Sequence, residues 1–258
     1  MSIAIVTGAS SGMGWETVIQ LGDRFGGNGI EEIWVIARRL DRLQRLRRQA
    51  AVPLRLFALD LTREDSLDVL NRELTKRAPK VKILVNAAGY GRRGRVEDGD
   101  LSGETGMIRL NCQALCGVTQ LVLPYMADHG RILLFGSAAG FLPQPGFAVY
   151  AATKAFVVSF GRALNAELKH RDIVVTSVCP GPVRTEFFET KGMKGELPFY
   201  KKLVMANPRR VVKKALRDSM MGKSVSIYGW MMKGFMGVCK VVPHEVLLRL
   251  GDCKKREL

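Results

Sequence analysis

Short apolar runs alternate with amphipathic stretches along the first two thirds of the chain. The runs are typical of buried strands and lie at 3–6, 33–37, 54–58, 83–85, 132–135 and 174–178. Strands that alternate with helices pair in parallel through right-handed crossovers, so the pattern predicts a parallel sheet with helices on both faces. We therefore expect an α/β fold with three layers, a doubly wound parallel sheet and a single domain over residues 1–258.

The last third of the chain loses this alternation. Residues 186–207 carry scattered Gly, Lys and Phe without a period, which predicts a lid loop over a substrate cleft. Asn207 before Pro208 predicts the start of a basic amphipathic helix over 208–221, and a last strand is expected near 224–228.

An apolar and basic tail is expected over 229–258. Lys233 and Lys240 are the only charges between 225 and 242, and their spacing puts them on one face of a helix. Two interpretations stay open, a helix that covers a hydrophobic pocket or subunit interface and a helix in peripheral contact with a membrane. No apolar run is long and uninterrupted enough to span a bilayer.

Composition excludes disordered and fibrous proteins, since 47% of the residues are hydrophobic and 25% are charged. The 40 Lys and Arg exceed the 24 Asp and Glu, and the net charge of +16 favours anionic partners. No aromatic RNA-binding motif accompanies the basic residues, so no specific nucleic-acid partner is expected. Five cysteines without zinc-ligand spacing predict reduced thiols and no metal. Because the first residues predict a strand rather than a signal peptide, we expect a cytoplasmic protein, with the membrane contact left open.

The first predicted strand runs into a glycine-rich turn before a helix. Glycine there lets the backbone approach a pyrophosphate, while the helix N-terminus offers free N–H groups and a positive dipole end. This context predicts a dinucleotide site. The residues expected to hold the cofactor here are Gly8, Ser10, Ser11, Gly12, Met13 and Gly14.

Two arginines follow the second predicted strand and indicate which dinucleotide binds. A free ribose 2′-hydroxyl favours an acidic partner at this place, whereas a 2′-phosphate favours guanidinium groups. Arg38 and Arg39 therefore predict NADP(H). The alternative is that both belong to the solvated face of the basic helix at 40–49.

Four polar residues suggest a catalytic group. Tyr150 and Lys154 lie one helical turn apart on one face, and Ser137 follows a strand at the edge of the sheet where ligands bind. Asn111 lies in an apolar helix candidate before that strand. Taken singly, each has an ordinary alternative as a cap, core or surface residue.

The motifs of this chain, taken together, resemble the signature of the classical short-chain dehydrogenase/reductase family. They are the four residues above, the glycine turn after Thr7, Asp60, the segment from Asn86 to Gly89, and the pair Pro180 and Gly181. The resemblance covers about residues 2–228 and implies a Rossmann-type domain without a metal. It also implies NAD(P)-dependent carbonyl reduction or alcohol oxidation. Homodimers or homotetramers that pack through the helices carrying Asn111 and Tyr150 are implied as well.

The same resemblance assigns further cofactor contacts. Asp60 and Leu61 would meet the adenine, and the segment after the fourth strand would meet the adenosine ribose. The residues after the sixth strand would hold the nicotinamide half, and Tyr150 and Lys154 would contact it too. The additional residues carried over are Asn86, Ala87, Gly89, Pro180, Gly181, Val183 and Thr185.

The chemistry expected of the four residues is acid–base catalysis. An adjacent ammonium favours the phenolate, so Lys154 would lower the pKa of Tyr150 and would also hold the nicotinamide ribose. Ser137 would orient the carbonyl, and by resemblance Asn111 would hold a water in a proton relay. The alternative is a non-catalytic NADP(H)-binding sensor or scaffold with a basic surface.

Residues around the predicted site indicate the substrate. Three arginines at 92, 93 and 95 would attract an acidic group or would point into solvent. Apolar residues predict a cleft for a lipophilic ketone or alcohol, with an acidic end left open. Within the family, the resemblance is closest to reductases of acyl chains, steroids and related lipophilic ketones. The cleft residues expected are Phe141, Leu142, Phe147, Phe187, Phe188, Met193, Phe199 and Tyr200, with more from the tail.

Overall fold

A computed structural model of the protein describes residues 1–25, 29–188 and 205–253. Seven parallel strands form one sheet in the order β3-β2-β1-β4-β5-β6-β7. Their bounds are β1 Ser2–Thr7, β2 Glu32–Ala37, β3 Leu54–Ala58, β4 Lys80–Asn86, β5 Met126–Phe135, β6 Val174–Val178 and β7 Val225–Ser226. The order reverses between β1 and β4, and open sheets of this kind bind ligands beyond the carboxyl ends of the strands at such a switch point.

Helices connect the strands and cover both faces of the sheet. Their bounds are α1 Gly12–Phe25, α2 Leu40–Gln49, α3 Glu64–Arg77, α4 Leu101–Ile108, α5 Leu115–Val122, α6 Ala148–Glu167, α7 Pro208–Met220, α8 Trp230–Val241 and α9 His244–Cys253. A π-helical segment, Arg109–Ala114, joins α4 to α5. The predicted α/β, doubly wound, single-domain fold is confirmed.

The core divides into two layers because successive strand residues point to opposite faces of the sheet. In β1, Ala4 and Val6 pack beneath α1 and α7, whereas Ile3 and Ile5 pack against the helices of the other face. Both layers are apolar, which explains why the inner strands read as continuous hydrophobic runs.

The helix predicted after Asn207 forms as expected. The Asn207 side chain caps it by accepting from the Arg209 N–H at 2.9 Å, and Pro208 occupies the first turn. At the other end of α7, buried Asp218 accepts from Lys214 Nζ at 2.6 Å and from Ser226 Oγ at 2.7 Å. This buried carboxylate joins α7 to the last strand.

The last strand is shorter than the sequence predicts, because only Val225–Ser226 pairs with β6 before the chain turns at Gly229 into α8. The predicted lid at 186–207 lies mostly outside the described residues; its first part, Glu186–Phe188, is a short 3₁₀ turn. Within the described ranges, no helix is both long and apolar enough to cross a membrane.

Candidate active site

The loop between β1 and α1 is shaped by glycine. Gly8 has φ +68°, and a Cβ there would lie 2.6 Å from the Ala88 nitrogen, so only glycine fits without displacing the neighbouring backbone. Thr7 fastens the same contact, because its hydroxyl accepts from the N–H groups of Ala87 and Ala88 at 3.1 and 3.2 Å. The first turn of α1, whose N–H groups have no partner within the helix, therefore faces the carboxyl edge of the sheet.

A cavity of about 300 Å³ opens at this edge, and we call it the dinucleotide cavity. Most of the predicted cofactor residues line it: Gly8, Ser10, Ser11, Gly12, Met13, Gly14, Arg38, Arg39, Asp60, Leu61, Ala87, Gly89 and Thr185. Asn86 is buried behind the wall, where its side-chain amide donates to Thr119 Oγ1 at 3.0 Å. The Asn86 side chain therefore does not reach the dinucleotide cavity in this position, and its predicted contact with the cofactor stays a prediction.

The arginines at one end of the dinucleotide cavity differ in what they contact. The Arg38 side chain is 72% exposed and reaches Asp60 at 4.0 Å. Arg39 donates to Ser10 Oγ at 3.1 Å and to Glu186 Oε2 at 2.9 Å, and Arg42 lies 3.4 Å from the other Glu186 oxygen. Arg39 and Arg42 thus already hold an anionic group at the cavity.

These donors fit a phosphorylated dinucleotide. The N-terminus of α1 suits a pyrophosphate. The guanidinium groups of Arg39 and Arg42, which already bind the Glu186 carboxylate, also suit a further phosphate. No group of three or more metal-ligating side chains occurs in the part of the chain that the structure describes.

Tyr150 and Lys154 lie on the first two turns of α6 and are almost fully buried, with exposed fractions of 7% and 6%. The Lys154 ammonium lies 5.6 Å from the centre of the Tyr150 ring and donates to the Phe135 carbonyl at 2.8 Å. Ser137, which follows β5, hydrogen-bonds to the Tyr150 phenol. The structure therefore brings three of the four predicted residues together.

Asn111, the fourth, lies in the π-helical segment, a local irregularity that is frequent at functional sites. Its side-chain amide donates to the Tyr90 carbonyl at 2.9 Å and to Thr153 Oγ1 at 3.0 Å, and its oxygen accepts from the Tyr90 N–H. A Cβ on Gly89 would lie 2.9 Å from that oxygen and 3.5 Å from Lys154 Nζ. Asn111 thus fixes the loop beside Lys154, and its role in a proton relay stays a prediction.

Burial shifts the pKa values of both Tyr150 and Lys154, and the shift at Tyr150 is opposite in direction to the predicted one. Burial raises the pKa of Tyr150 to about 12, and the hydrogen bond from Ser137 only partly opposes this. Burial likewise lowers the pKa of Lys154 to about 8. Loss of solvent around the phenol thus has the largest effect on its pKa, and stabilisation of the phenolate by Lys154 stays a prediction.

A second cavity of about 400 Å³, the apolar cleft, has Tyr150 on its wall. It meets the dinucleotide cavity at shared wall residues, Met13, Thr185 and Phe187. Phe147 stacks on Tyr150 with ring centres 4.3 Å apart, and Phe187 lies 5.5 Å away. Of the residues predicted for the nicotinamide half, Pro180, Gly181, Val183 and Thr185 line this cleft.

The tail contributes directly to the apolar cleft. Met231, Met232 and Phe235 of α8 line it, as the pocket-covering interpretation predicts. Trp230 and Val241 on the same helix are 81% and 83% exposed. Three of the apolar residues that would contact a membrane under the other interpretation therefore line the cleft instead. Of the other predicted cleft residues, Phe141 and Leu142 are not on the wall of this cavity. Met193, Phe199 and Tyr200 lie outside the described residues, as does the side chain of Phe188.

Sequence reasoning missed several residues of the site. A Cβ on Gly91 would lie 2.8 Å from the Tyr150 ring, and Gln144 lines the apolar cleft. Thr153 Oγ1 accepts a hydrogen bond from the Asn111 side-chain amide. Glu186 pairs with Arg39 and Arg42, which lie far from it in the sequence. Only Gly91 offered a local signal, since it lies two residues after the Asn-Ala-Ala-Gly segment.

Comparison with known proteins decides the family. The family model described as short chain dehydrogenase matches residues 2–194. The chain belongs to the short-chain dehydrogenase family. This confirms the resemblance and the expected oxidoreductase class.

Named members of the short-chain dehydrogenase family cover most of the chain. Sulfoacetaldehyde reductase 2 of Chromohalobacter salexigens is 36% identical over 191 residues, which is 72% of this chain and 74% of that protein. The NADP-dependent 3-hydroxy acid dehydrogenase YdfG of Escherichia coli is 33% identical over 202 residues, 75% of this chain and 77% of that protein. A solved short-chain dehydrogenase from Sphingobium yanoikuyae, in complex with NADPH, superposes with a TM-score of 0.78 at 28% identity, covering 94% of this chain and 97% of that one.

Proposed function

We propose that this short-chain dehydrogenase uses NADP(H) to reduce a carbonyl group of a lipophilic substrate, or to oxidise the matching secondary alcohol. The observation that carries the proposal is the position of Tyr150. Its phenol lies beside Ser137 on the wall of the apolar cleft, and Lys154 Nζ is 5.6 Å from its ring centre. The same ring lies 5.5 Å from that of Phe187, which lines both cavities. A group that serves a cofactor on one side and a substrate on the other needs this position.

The choice of NADP(H) rests on the basic end of the dinucleotide cavity. Arg38 and Arg39 line this end and would hold a 2′-phosphate, Arg39 in exchange for Glu186. The N-terminus of α1 would hold the pyrophosphate. One relative is NADP-dependent by name, and one solved relative contains NADPH, which supports the same choice. When bound, this cofactor supplies the hydride that reduces the carbonyl carbon.

Tyr150 acts as the proton donor in reduction. Its raised pKa keeps the phenol protonated near neutral pH, which suits a group that gives a proton to the carbonyl oxygen. Ser137 donates to the same oxygen and holds it next to the phenol. Lys154, whose pKa is about 8, carries its charge at neutral pH and stabilises the phenolate that remains after the transfer.

The lipophilic substrate class follows from the lining of the cleft. Phe147, Phe187 and Phe235 contribute rings, and Met231 and Met232 contribute flexible thioether chains that adapt to varied apolar shapes. Such a cleft favours an acyl chain or a steroid-like ketone over a small polar one.

NADPH oxidation across matched ketones tests the proposal. The panel pairs acetone and hydroxyacetone with 2-octanone, 2-decanone and a 3-oxosteroid. We expect turnover with the lipophilic members and a kcat/KM at least about tenfold above the small ones, since burying a few methylene groups contributes that much. Faster turnover of the small ketones would contradict the substrate class. NADPH binding without turnover on any ketone would favour the sensor or scaffold instead.

We also propose that the protein forms homodimers or homotetramers. The helices that carry Asn111 and Tyr150 expose Leu101, Ile108 and Phe156, and the Phe156 ring stacks on Phe160. Exposed apolar residues on these two neighbouring helices support an interface between copies. Light scattering should give a dimer or larger, and Phe156→Arg should shift it towards the monomer; a monomeric unaltered protein would contradict this part.

A further inference from the structure

The loop after β4 carries three arginines, of which only one faces the apolar cleft. Arg92 forms an ion pair with Asp100, and Arg95 forms one with Glu97. Arg93 has no carboxylate partner among the described residues and lines the cleft. Neighbouring side chains therefore neutralise two of the charges, and the third is left for another anion.

Arg93 is held in a defined place. Its guanidinium carbon lies 5.9 Å from the centre of the Phe147 ring, a cation–π distance. Phe147 in turn stacks on Tyr150 at 4.3 Å. The next residue, Gly94, donates its N–H to the Gly146 carbonyl at 3.0 Å, which fastens the arginine loop to the segment that leads into α6. The charge is thus tied to the same structure that positions the phenol.

The surroundings of Arg93 make its charge unusual. Among the described residues that line the apolar cleft it is the only charged one, and none is acidic. The side chain is half-buried, so its guanidinium has lost part of its hydration without gaining a carboxylate there. A charge at an apolar wall is stabilised when a ligand brings the opposite charge, and guanidinium matches a carboxylate with two parallel hydrogen bonds.

We propose that Arg93 binds the carboxylate of the substrate, so that the substrate class is lipophilic oxo acids and the matching hydroxy acids. This inference rests on the proposed function, since it takes the apolar cleft as the substrate site. Arg93 and Tyr150 both lie against the Phe147 ring, at 5.9 and 4.3 Å from its centre, so the carboxylate would bind on the same part of the cleft wall as the reacting carbonyl. The rest of the chain then lies against Met231, Met232 and Phe235 of α8.

Equilibrium binding tests the proposal without turnover. Octanoate and octanamide have nearly the same shape and differ in charge, and calorimetry measures each on the protein saturated with NADP⁺. We expect octanoate to bind at least about tenfold more tightly than octanamide, since a charge-assisted hydrogen-bond pair contributes that much. Arg93→Gln should abolish the preference, and Arg93→Lys should keep part of it.

Arg95→Gln is the matched control, because it removes the same charge from the same loop at an exposed residue paired with Glu97. It should keep the preference for octanoate. Equal binding of the two ligands, no binding of either, or a preference that survives Arg93→Gln would overturn the proposal, as would a preference lost equally in Arg95→Gln. Turnover of the neutral ketone 2-octanone by the unaltered protein reports separately on the proposed function. Absence of this turnover would contradict the proposed function. Turnover of 2-octanone together with equal binding of octanoate and octanamide would contradict only the role of Arg93.

Discussion

The two cavities that meet near Tyr150 are built in different ways. The dinucleotide cavity comes mainly from short segments at the ends of β1 to β4, in the first half of the chain. The apolar cleft comes from the segments after β5 and β6, with α8 added from the far end of the chain. Binding a pyrophosphate requires a particular backbone, whereas an apolar wall requires only hydrophobic surface, which many residues supply.

The cavities also differ in charge. Arg38, Arg39 and Asp60 lie on the first, together with Glu186, whereas Arg93 is the only charged side chain among the described residues of the second. Selectivity for the cofactor should therefore respond strongly to single charge changes. Selectivity for the substrate should depend on apolar contacts and on one arginine.

Replacing Lys154, which lies beside Tyr150 and close to Gly89, should have the largest effect. Lys154→Met should lower kcat/KM for ketone reduction by about 100-fold or more, the range for losing a group that supports proton transfer. The same variant should be more stable at neutral pH, because the folded protein lowers the pKa of this lysine from 10.5 to about 8 and so disfavours its charged form.

The pH dependence of stability gives the sign of this effect. Between pH 8 and 10.5 the unfolded chain binds more protons at Lys154 than the folded one. The buried charge therefore destabilises the folded protein fully below pH 8, and this destabilisation disappears as the pH rises from 8 to 10.5. Lys154→Met removes this destabilisation but also loses the hydrogen bond to the Phe135 carbonyl. We therefore expect its free energy of unfolding at pH 7, measured with denaturant, to rise by about 1–2 kcal/mol. A variant less stable at pH 7 would contradict the account.

Charge removal at the dinucleotide cavity should affect only cofactor choice. Arg38→Ala and Arg39→Ala should each weaken NADPH binding by about 10- to 100-fold, since a charged hydrogen bond to phosphate contributes about 1.5–3 kcal/mol. NADH binding should change little. Fluorescence titration with both nucleotides measures this, and equal weakening of the two would mean that the arginines do not hold the 2′-phosphate.

Trimming the apolar cleft should affect only the substrate. Phe235→Ala should raise KM for a lipophilic ketone by about tenfold, the cost of losing one buried aromatic contact, without changing NADPH binding. Val238→Ala on the same helix, at a residue that is 48% exposed, is the matched control. If the two variants behave alike in steady-state kinetics, α8 does not form the substrate wall.

The smallest effect is expected at Glu186. Its carboxylate engages Arg39 and Arg42, so it competes with a phosphate for the same donors. Glu186→Gln should tighten NADPH binding about threefold, because partly exposed ion pairs contribute at most about 1 kcal/mol. Glu97→Gln, which breaks the surface pair with Arg95, should leave the affinity unchanged. Weaker NADPH binding in Glu186→Gln would show that Glu186 supports the cofactor.

Local patterns in the sequence predicted much of the fold and of the polar half of the site. Buried strands read as apolar runs, and the positive φ of Gly8 and Gly12 explains why glycines mark the turn before α1. The one-turn spacing of Tyr150 and Lys154 likewise survives as one buried face of α6.

Contacts between distant segments could not be predicted in the same way. Glu186 reaches Arg39 across nearly 150 positions, and no local pattern records such a pair. The selection of Arg93 from three neighbouring arginines depends on where Asp100 and Glu97 happen to lie. The pKa of Tyr150 likewise depends on how Phe147 and Phe187 exclude water, which spacing alone does not reveal.

Tyr150→Phe tests the central claim most directly, because it removes one oxygen from the proposed proton donor and leaves the ring in place. With the best ketone of the panel, kcat should fall by about 100-fold or more while NADPH affinity stays the same. Tyr125→Phe, at a half-buried tyrosine whose hydroxyl lies 3.3 Å from that of Thr75, should keep full activity. Reduction at an undiminished rate by Tyr150→Phe would contradict the assignment of Tyr150 as the acid.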